Sequence, residues 1–71
     1  MSRDEAINKL ISATGFTSVR LNDLFDYLDA LRLSAVTNMF GAIPYLMQYD
    51  SEVTHKTGQL ILKGWMDSFG K

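Results

Sequence analysis

Apolar residues recur at helical spacing in four successive stretches of the chain. In the most regular stretch, neighbouring apolar residues are mostly three or four positions apart, which places them on one face of a helix that must be buried. These residues are Leu21, Leu24, Phe25, Leu28 and Leu31. The four stretches predict helices over residues 2–13, 18–33, 38–49 and 52–69.

Residues at and inside these stretches give signals for helix ends and helix packing. Ser2 and Glu5 have the spacing of a capping box, in which each side chain accepts a hydrogen bond from the other residue's backbone N–H. Gly15 follows the first stretch and suits the left-handed conformation that ends many helices. Gly58 and Gly64 lie inside the last predicted helix, where each costs about 1 kcal/mol relative to alanine, so we expect neighbouring helices to cross closely there.

Pro44 interrupts the third stretch, because it lacks a backbone N–H and its ring crowds the carbonyl group of Phe40. The third helix is therefore predicted to be broken or kinked near Pro44. Two conformations satisfy this constraint: one helix starts near Met39 and bends at Pro44, or a single turn through Phe40 precedes a helix whose first residue is Pro44. Asp50 or Ser51 is the expected N-terminal cap of the last helix.

These patterns predict an all-α fold, a small bundle of three to four helices that forms a single helical domain over residues 1–71. Apolar residues cover more than half the circumference of the last helix, which should therefore be central. The predicted core consists of Ile7, Leu10, Leu21, Leu24, Phe25, Leu28, Leu31, Phe40, Ile43, Leu46, Leu60, Ile61 and Trp65.

Composition narrows the classes of function. A domain of 71 residues has little material for a deep active-site cleft, and the absence of cysteine removes thiol nucleophiles, disulfides and cysteine-bound metals. No stretch approaches the ~18 apolar residues of a membrane span, and the charged start differs from a signal peptide. We therefore expect a cytoplasmic protein with no enzymatic activity, no cofactor, no metal and no membrane association.

Three aspartates, Asp23, Asp26 and Asp29, form an acidic row on the polar side of the second helix. Such a row on one helix lacks the convergent ligands that a metal ion needs. One interpretation is a solvated face whose charge is partly balanced by Arg20 and Arg32. The functional interpretation is a docking surface for a basic partner.

Tyr45 and Tyr49 lie four residues apart and off the main apolar stripe of the third helix. Tyrosine rings bury a large area at modest entropic cost, so they are suitable anchors for an interface. The alternative is that both rings lean on the edge of the core with their hydroxyl groups in water. We consider this tyrosine pair a second candidate surface for partner binding, on a different face from the aspartate row.

The last helix carries a polar face formed by His55, Lys56, Gln59 and Lys63. Lysine and glutamine suit phosphates and base edges if the third and fourth helices form a helix-turn-helix. Against DNA binding stand the net charge of −1, only seven lysines and arginines, and no arginine on the supposed reading helix. A DNA-binding domain is therefore retained only as an alternative.

Self-association is a further alternative. Leu62, Met66 and Phe69 extend the apolar side of the last helix beyond what one small core is expected to cover. A homodimer would bury this patch, and dimerisation is compatible with binding another protein.

Several segments resemble small uncharacterised helical proteins of bacteriophages and bacteria. The segments are Leu28-Asp29-Ala30-Leu31-Arg32 with Ser34, the run Val36-Thr37-Asn38-Met39-Phe40-Gly41-Ala42-Ile43-Pro44-Tyr45-Leu46, and Leu62 with Trp65-Met66. The resemblance covers about the C-terminal two-thirds of the chain. The family more often has glycine at the position of Ala35, and its last helix has an acidic, alanine-rich start where this chain has residues 53–57. The resemblance implies a phage or prophage origin and transfers no catalytic residue.

Together these observations favour a non-enzymatic module that binds a protein partner by surface complementarity. If the chain is phage-encoded, we expect this module to be a small accessory or inhibitor protein that occludes a host protein in the host cytoplasm. A helix-turn-helix-like DNA-binding domain and a self-associating structural protein are the alternatives.

Overall fold

The computed structural model describes residues 2–34 and 41–69, except for the side chain of Phe69. These ranges contain four α-helices and no strand, which confirms the predicted all-α bundle. The helices are α1 (Arg3–Thr14), α2 (Ser18–Ser34), α3 (Ile43–Tyr49) and α4 (His55–Phe69). Helix α4 packs against all three of the others, as the wide apolar surface of the last stretch predicted.

Helix α1 begins and ends as the sequence predicted. The Glu5 N–H donates to Ser2 Oγ at 3.2 Å, and the Ser2 N–H donates to Glu5 Oε1 at 3.0 Å, which completes the capping box. These hydrogen bonds lower the pKa of the Glu5 carboxyl, because they favour its charged form. At the other end, Gly15 adopts φ 79° and its N–H donates to the Ile11 carbonyl at 2.9 Å.

Helix α3 begins at Ile43, with Ala42 as its N-terminal flanking residue and Pro44 in the first turn. Proline is tolerated in the first turn because a backbone N–H there has no partner within the helix. The predicted start at residue 38 and the expected behaviour of Met39 and Phe40 lie outside the described residues. Within the described part, the proline acts at a helix start and does not interrupt a longer helix.

The expected cap of α4 is wrong, since the helix begins at His55 and not near residue 52. Asp50 Oδ1 accepts the Glu52 N–H at 3.0 Å, and the Asp50 carbonyl accepts the Val53 N–H at 3.0 Å, so Asp50 organises a turn before the helix. Thr54 and Thr57 then exchange hydrogen bonds between their backbone N–H groups and hydroxyl oxygens, at 2.9 and 3.1 Å. This reciprocal pair performs the capping role predicted for Asp50 or Ser51.

The core is close to the predicted one. Most of the predicted residues are buried, Leu60 packs against the core while only partly buried, and Phe40 lies outside the described residues. The buried apolar side chains that the prediction omitted are those of Ala6, Ala42, Val53 and Leu62. Trp65, Phe25 and five aliphatic residues of α2, α3 and α4 are almost completely buried. Helix α1 joins the same cluster through Ala6, Ile7 and Leu10.

Both glycines inside α4 mark a close helix crossing, as predicted. A Cβ atom on Gly58 would lie 3.1 Å from Ile43 Cγ2, where α3 meets α4. A Cβ atom on Gly64 would lie 2.9 Å from Leu10 Cδ1, where α1 meets α4. The absence of side chains at these positions therefore lets the neighbouring helices approach.

Candidate functional site

The aspartate row of α2 is bonded to other helices along its length. Asp23 accepts a hydrogen bond from the Tyr49 hydroxyl of α3, whose oxygen lies 3.0 and 2.9 Å from the two carboxylate oxygens. Asp26 and Asp29 both contact Arg3 of α1. The row is thus a seam between helices and differs from the purely solvated face that was one interpretation of the sequence.

Tyr49 also stacks on Tyr27 of α2. The ring centroids are 4.2 Å apart and the ring planes are inclined by 12°. Tyr27 follows Asp23 by one helical turn, so a single tyrosine from α3 contacts both residues. Tyr49 retains 46% of its exposure, and the side chain of Asp26 retains 71%. We call the group formed by Asp23, Asp26, Tyr27 and Tyr49 the acidic–aromatic surface.

The electrostatics of this surface favour a neutral Tyr49. The hydrogen bond to the Asp23 carboxylate raises the pKa of the Tyr49 hydroxyl above its usual value of 10.0, because ionisation would remove the shared proton and place two negative charges together. Partial burial acts in the same direction. Near neutral pH the tyrosine is therefore a stable donor to the Asp23 carboxylate.

Arg3 binds the other side of the row through several groups at once. Its Nη2 donates to Asp26 Oδ1 at 2.7 Å and to the Asn22 carbonyl at 2.9 Å, while Nε donates to Asn22 Oδ1 at 3.2 Å. Nη1 donates to Asp29 Oδ2 at 3.4 Å, and the guanidinium carbon lies 5.4 Å from the centre of the Phe25 ring. We call this group the Arg3 clasp; it combines ion pairing, hydrogen bonding and a cation–π contact.

Asp29 extends the clasp into the core. Its Oδ1 accepts a hydrogen bond from the indole Nε1 of Trp65 at 2.9 Å, and Trp65 is only 1% exposed. A buried indole N–H needs such an acceptor. One aspartate therefore links α1, α2 and α4, a role that spacing on a single helix did not reveal.

The predicted balance of the aspartate row by Arg20 is wrong. Arg20 donates to Glu52 and lies 3.5 Å from Asp50 Oδ2, both in the turn before α4. Its guanidinium carbon also lies 5.5 Å from the centre of the Phe16 ring. The main counter-charge of the aspartate row comes from Arg3, which was not among the residues predicted to balance it.

The tyrosine pair predicted on α3 is divided between two environments. Tyr45 is partly buried and packs against the core. Tyr49 instead contacts the aspartate row, so the two candidate surfaces predicted on different faces meet at this residue. The spacing of four residues placed both tyrosines off the apolar stripe, but it did not specify which neighbouring helix each would contact.

The polar face of α4 is exposed, which is one feature that the DNA-binding alternative requires. His55, Lys56, Gln59 and Lys63 are all exposed. Lys56, Gln59 and Lys63 also share one side of the helix by their spacing. Lys63 lies 3.4 Å from Asp67 Oδ2 in the following turn, which offsets part of its charge.

A groove of about 420 Å³ runs beside this polar face, lined by Ile43, Gln59, Leu62, Lys63, Met66 and Asp67. Leu62 is only 6% exposed, so its expected place in an exposed patch is wrong; it packs into the core. Met66 is partly buried and packs against the same core, while the side chain of Phe69 lies outside the described residues. The groove is the remaining part of the apolar patch that the sequence predicted.

Across residues 2–34 and 41–69, no three histidine, aspartate or glutamate side chains are grouped as metal ligands. None of the helices in that part of the chain has the length and apolar character needed to span a bilayer. Comparisons with protein-family models, curated proteins and solved structures give no match to the chain.

Proposed function

We propose that this protein is a non-enzymatic binding module that docks a basic segment of a partner protein on the acidic–aromatic surface. The observation that carries the proposal is the contact of Tyr49 with both Asp23 and Tyr27, which joins carboxylate and aromatic groups on one exposed site. The contact also orients the tyrosine ring and the carboxylate before a partner arrives. Such preorganisation reduces the entropic cost of binding.

The chemistry of this surface suits arginine or lysine. A cation over an exposed tyrosine ring gains about 0.5–1 kcal/mol. A hydrogen-bonded ion pair between a guanidinium group and an exposed carboxylate adds about 0.2–1 kcal/mol. Asp26, with its side chain 71% exposed, retains the access that such a bond requires. A short basic segment could therefore bind with few contacts.

The resemblance to small phage and bacterial proteins supports a biological setting for this binding. A phage-encoded accessory or inhibitor protein would act in the host cytoplasm and occlude a basic surface of a host protein. Binding by surface complementarity requires no catalytic residue, and a chain of 71 residues with a single small core is large enough for it.

An arginine-rich peptide provides a direct test. The double variant Asp23→Asn/Asp26→Asn removes two negative charges and keeps the shape of both side chains, so we expect its dissociation constant for the peptide to rise about tenfold or more. Fluorescence anisotropy of a labelled peptide measures the change, and circular dichroism checks the fold.

The control is Asp67→Asn on α4, which removes one negative charge far along the chain from the surface. We expect it to change the dissociation constant less than about twofold, through the net charge alone. An equal loss in this control would show that the peptide responds to overall charge and would overturn the proposed site.

DNA binding is the second candidate, because Lys56, Gln59 and Lys63 are exposed on one side of α4. Replacing both lysines by alanine should then abolish binding to duplex DNA, and the affinity should fall steeply with salt. Undiminished capture of the arginine-rich peptide by the same variant would favour the protein-binding proposal.

Self-association is the third candidate, and the groove beside Met66 is the observation that favours it. Sedimentation velocity over a range of concentrations tests it. A dimer that dissociates in the variant Met66→Asp would support this function, and a monomer at all concentrations would exclude it.

A further inference from the structure

We infer that Arg3 is an internal ligand that occupies a guanidinium-binding site on α2, and that an arginine of the basic partner takes its place. The inference rests on the proposed function and adds the identity of the group that the partner must supply. Its basis is the Arg3 clasp, in which one guanidinium group contacts Asn22, Asp26, Asp29 and the ring of Phe25.

The site is selective for a planar, forked cation. Three different nitrogens of Arg3 donate hydrogen bonds, to two carboxylates, a side-chain amide oxygen and a backbone carbonyl. The compact ammonium group of lysine cannot reach these acceptors simultaneously, because its donors share one nitrogen. The site is therefore expected to prefer arginine to lysine.

The position of Arg3 in α1 supports a role outside its own helix. Arg3 is the first residue of α1, where the partial positive charge of the helix end disfavours a cation and favours acidic residues such as Asp4 and Glu5. The favourable contacts of the guanidinium group are all made across the interface, with α2. Its placement follows from the acceptors on α2 and not from the requirements of α1.

The contacts of Arg3 are also exchangeable. The side chain of Arg3 is 36% exposed, and those of Asp26 and Asp29 are 71% and 45% exposed. Ion pairs with this much exposure are weak, so a partner's guanidinium group can compete for the same carboxylates. Because Arg3 occupies the site part of the time, the apparent affinity for the partner is reduced to the fraction of time for which the site is free. Arg3 thus acts as an autoinhibitory contact next to Tyr27 and Tyr49.

Trp65 reports on the occupancy of the site. It is the single tryptophan of the chain, and its indole N–H donates to the same Asp29 that binds Arg3. Removal of the guanidinium group changes the electrostatic environment of the indole, and its emission should shift. The signal should return when another guanidinium group enters the site.

The first experiment adds a small probe to the variant Arg3→Ala. We expect N-acetyl-arginine amide to restore the wild-type emission of Trp65 and to raise the melting temperature, while N-acetyl-lysine amide does neither. The wild-type protein should respond to the arginine probe only at higher concentrations than Arg3→Ala does, because Arg3 competes for the site. If Arg3→Ala is too unstable, Arg3→Lys keeps the charge and provides the same test with a partly vacated site.

The second experiment measures the binding of an arginine-rich peptide. Arg3→Ala should bind it about fivefold more tightly than the wild type, as expected when a weak internal competitor is removed. The matched control Arg20→Ala loses the same charge from a guanidinium group that pairs with Asp50 and Glu52. It should gain no more than about twofold through net charge.

The two experiments separate the inference from the proposed function. Equal peptide affinities for the wild type, Arg3→Ala and Arg20→Ala would overturn the autoinhibitory contact and leave the proposed function in place. Rescue of Arg3→Ala by the arginine probe without any peptide binding would support the guanidinium site and contradict the proposed function. An equal response to the arginine and lysine probes would overturn the selectivity of the site.

Discussion

Helices α2 and α4 both carry a row of exposed polar residues, but the two rows make different contacts. On α2, Asp23, Asp26 and Asp29 bond to residues of three other helices. On α4, the ion pair of Lys63 stays within its own helix, with Asp67 one turn away. The polar groups of α2 are therefore fixed by the tertiary fold, whereas this pair on α4 is held only by its own helix.

This difference has consequences for both stability and binding. A fixed polar group contributes to stability because its partner would lose an acceptor or donor without it. It also presents a defined geometry to a partner at a low entropic cost. An exposed pair within one helix contributes about 0.3–0.5 kcal/mol and adapts to its surroundings. The contrast can be tested by equivalent substitutions in the two rows.

The largest effect is expected for Asp29→Ala. This change leaves the buried Trp65 N–H without its acceptor and removes one carboxylate from the Arg3 clasp, so we expect the free energy of unfolding to fall by about 2 kcal/mol. Urea unfolding followed by circular dichroism measures it. Asp29→Asn keeps an acceptor for the indole and should lose less than half as much.

A smaller effect is expected for Tyr49→Phe, which removes the hydroxyl group and keeps the stacked ring. The loss of its hydrogen bond to Asp23 should lower the free energy of unfolding by less than Asp29→Ala does, because the hydroxyl group is exposed and water can replace part of the bond. Tyr45→Phe is the matched control on the same helix, since the Tyr45 hydroxyl forms no hydrogen bond within residues 2–34 and 41–69, and it should have little effect. Equal losses in the two variants would contradict a specific role for the Asp23 contact.

The pH dependence follows from the raised pKa of Tyr49. A group whose pKa is raised on folding stabilises the protein fully below its unfolded pKa, and this contribution is lost as the pH rises through the folded pKa. Stability should therefore decline above about pH 10, the ordinary pKa of tyrosine. Spectrophotometric titration should show a tyrosine that ionises late in the wild type and closer to the ordinary value in Asp23→Asn.

The smallest effect is expected for Lys63→Ala on α4. Loss of its exposed pair with Asp67 should change the free energy of unfolding by no more than about 0.5 kcal/mol. The same urea titration measures it. A loss as large as that of Asp29→Ala would remove the distinction between the two rows.

The helices were predictable because a helix is a local structure with a local signal. The apolar spacing of α2 and the pair Ser2 and Glu5 depend on residues a few positions apart, and both are found as expected. The start of α4 was misplaced by three residues, because Asp50 is a good cap by composition but is used in the preceding turn. Small core residues such as Ala6 and Ala42 were missed, since alanine fits both buried and exposed positions.

The candidate surface was predictable in its residues but not in its contacts. The residue pattern identified Asp23 and Tyr49 as candidates, but it predicted two separate faces. Helical spacing contains no information about which helices lie side by side. Arg3 is 23 positions from Asp26 and follows no local pattern with it. The position of Arg3 was nevertheless informative. A cation in the first turn of a helix is disfavoured by the helix dipole, so an acidic partner outside that helix is expected.

The most direct test of the proposed surface is a map of chemical-shift changes when an arginine-rich peptide is added to the ¹⁵N-labelled protein. If an arginine-rich peptide binds there, we expect changes centred on Asp23, Asp26, Tyr27 and Tyr49, together with the indole signal of Trp65 as Arg3 is displaced. Changes confined to the polar face of α4 or to the groove beside Met66, or no saturable change anywhere, would contradict it.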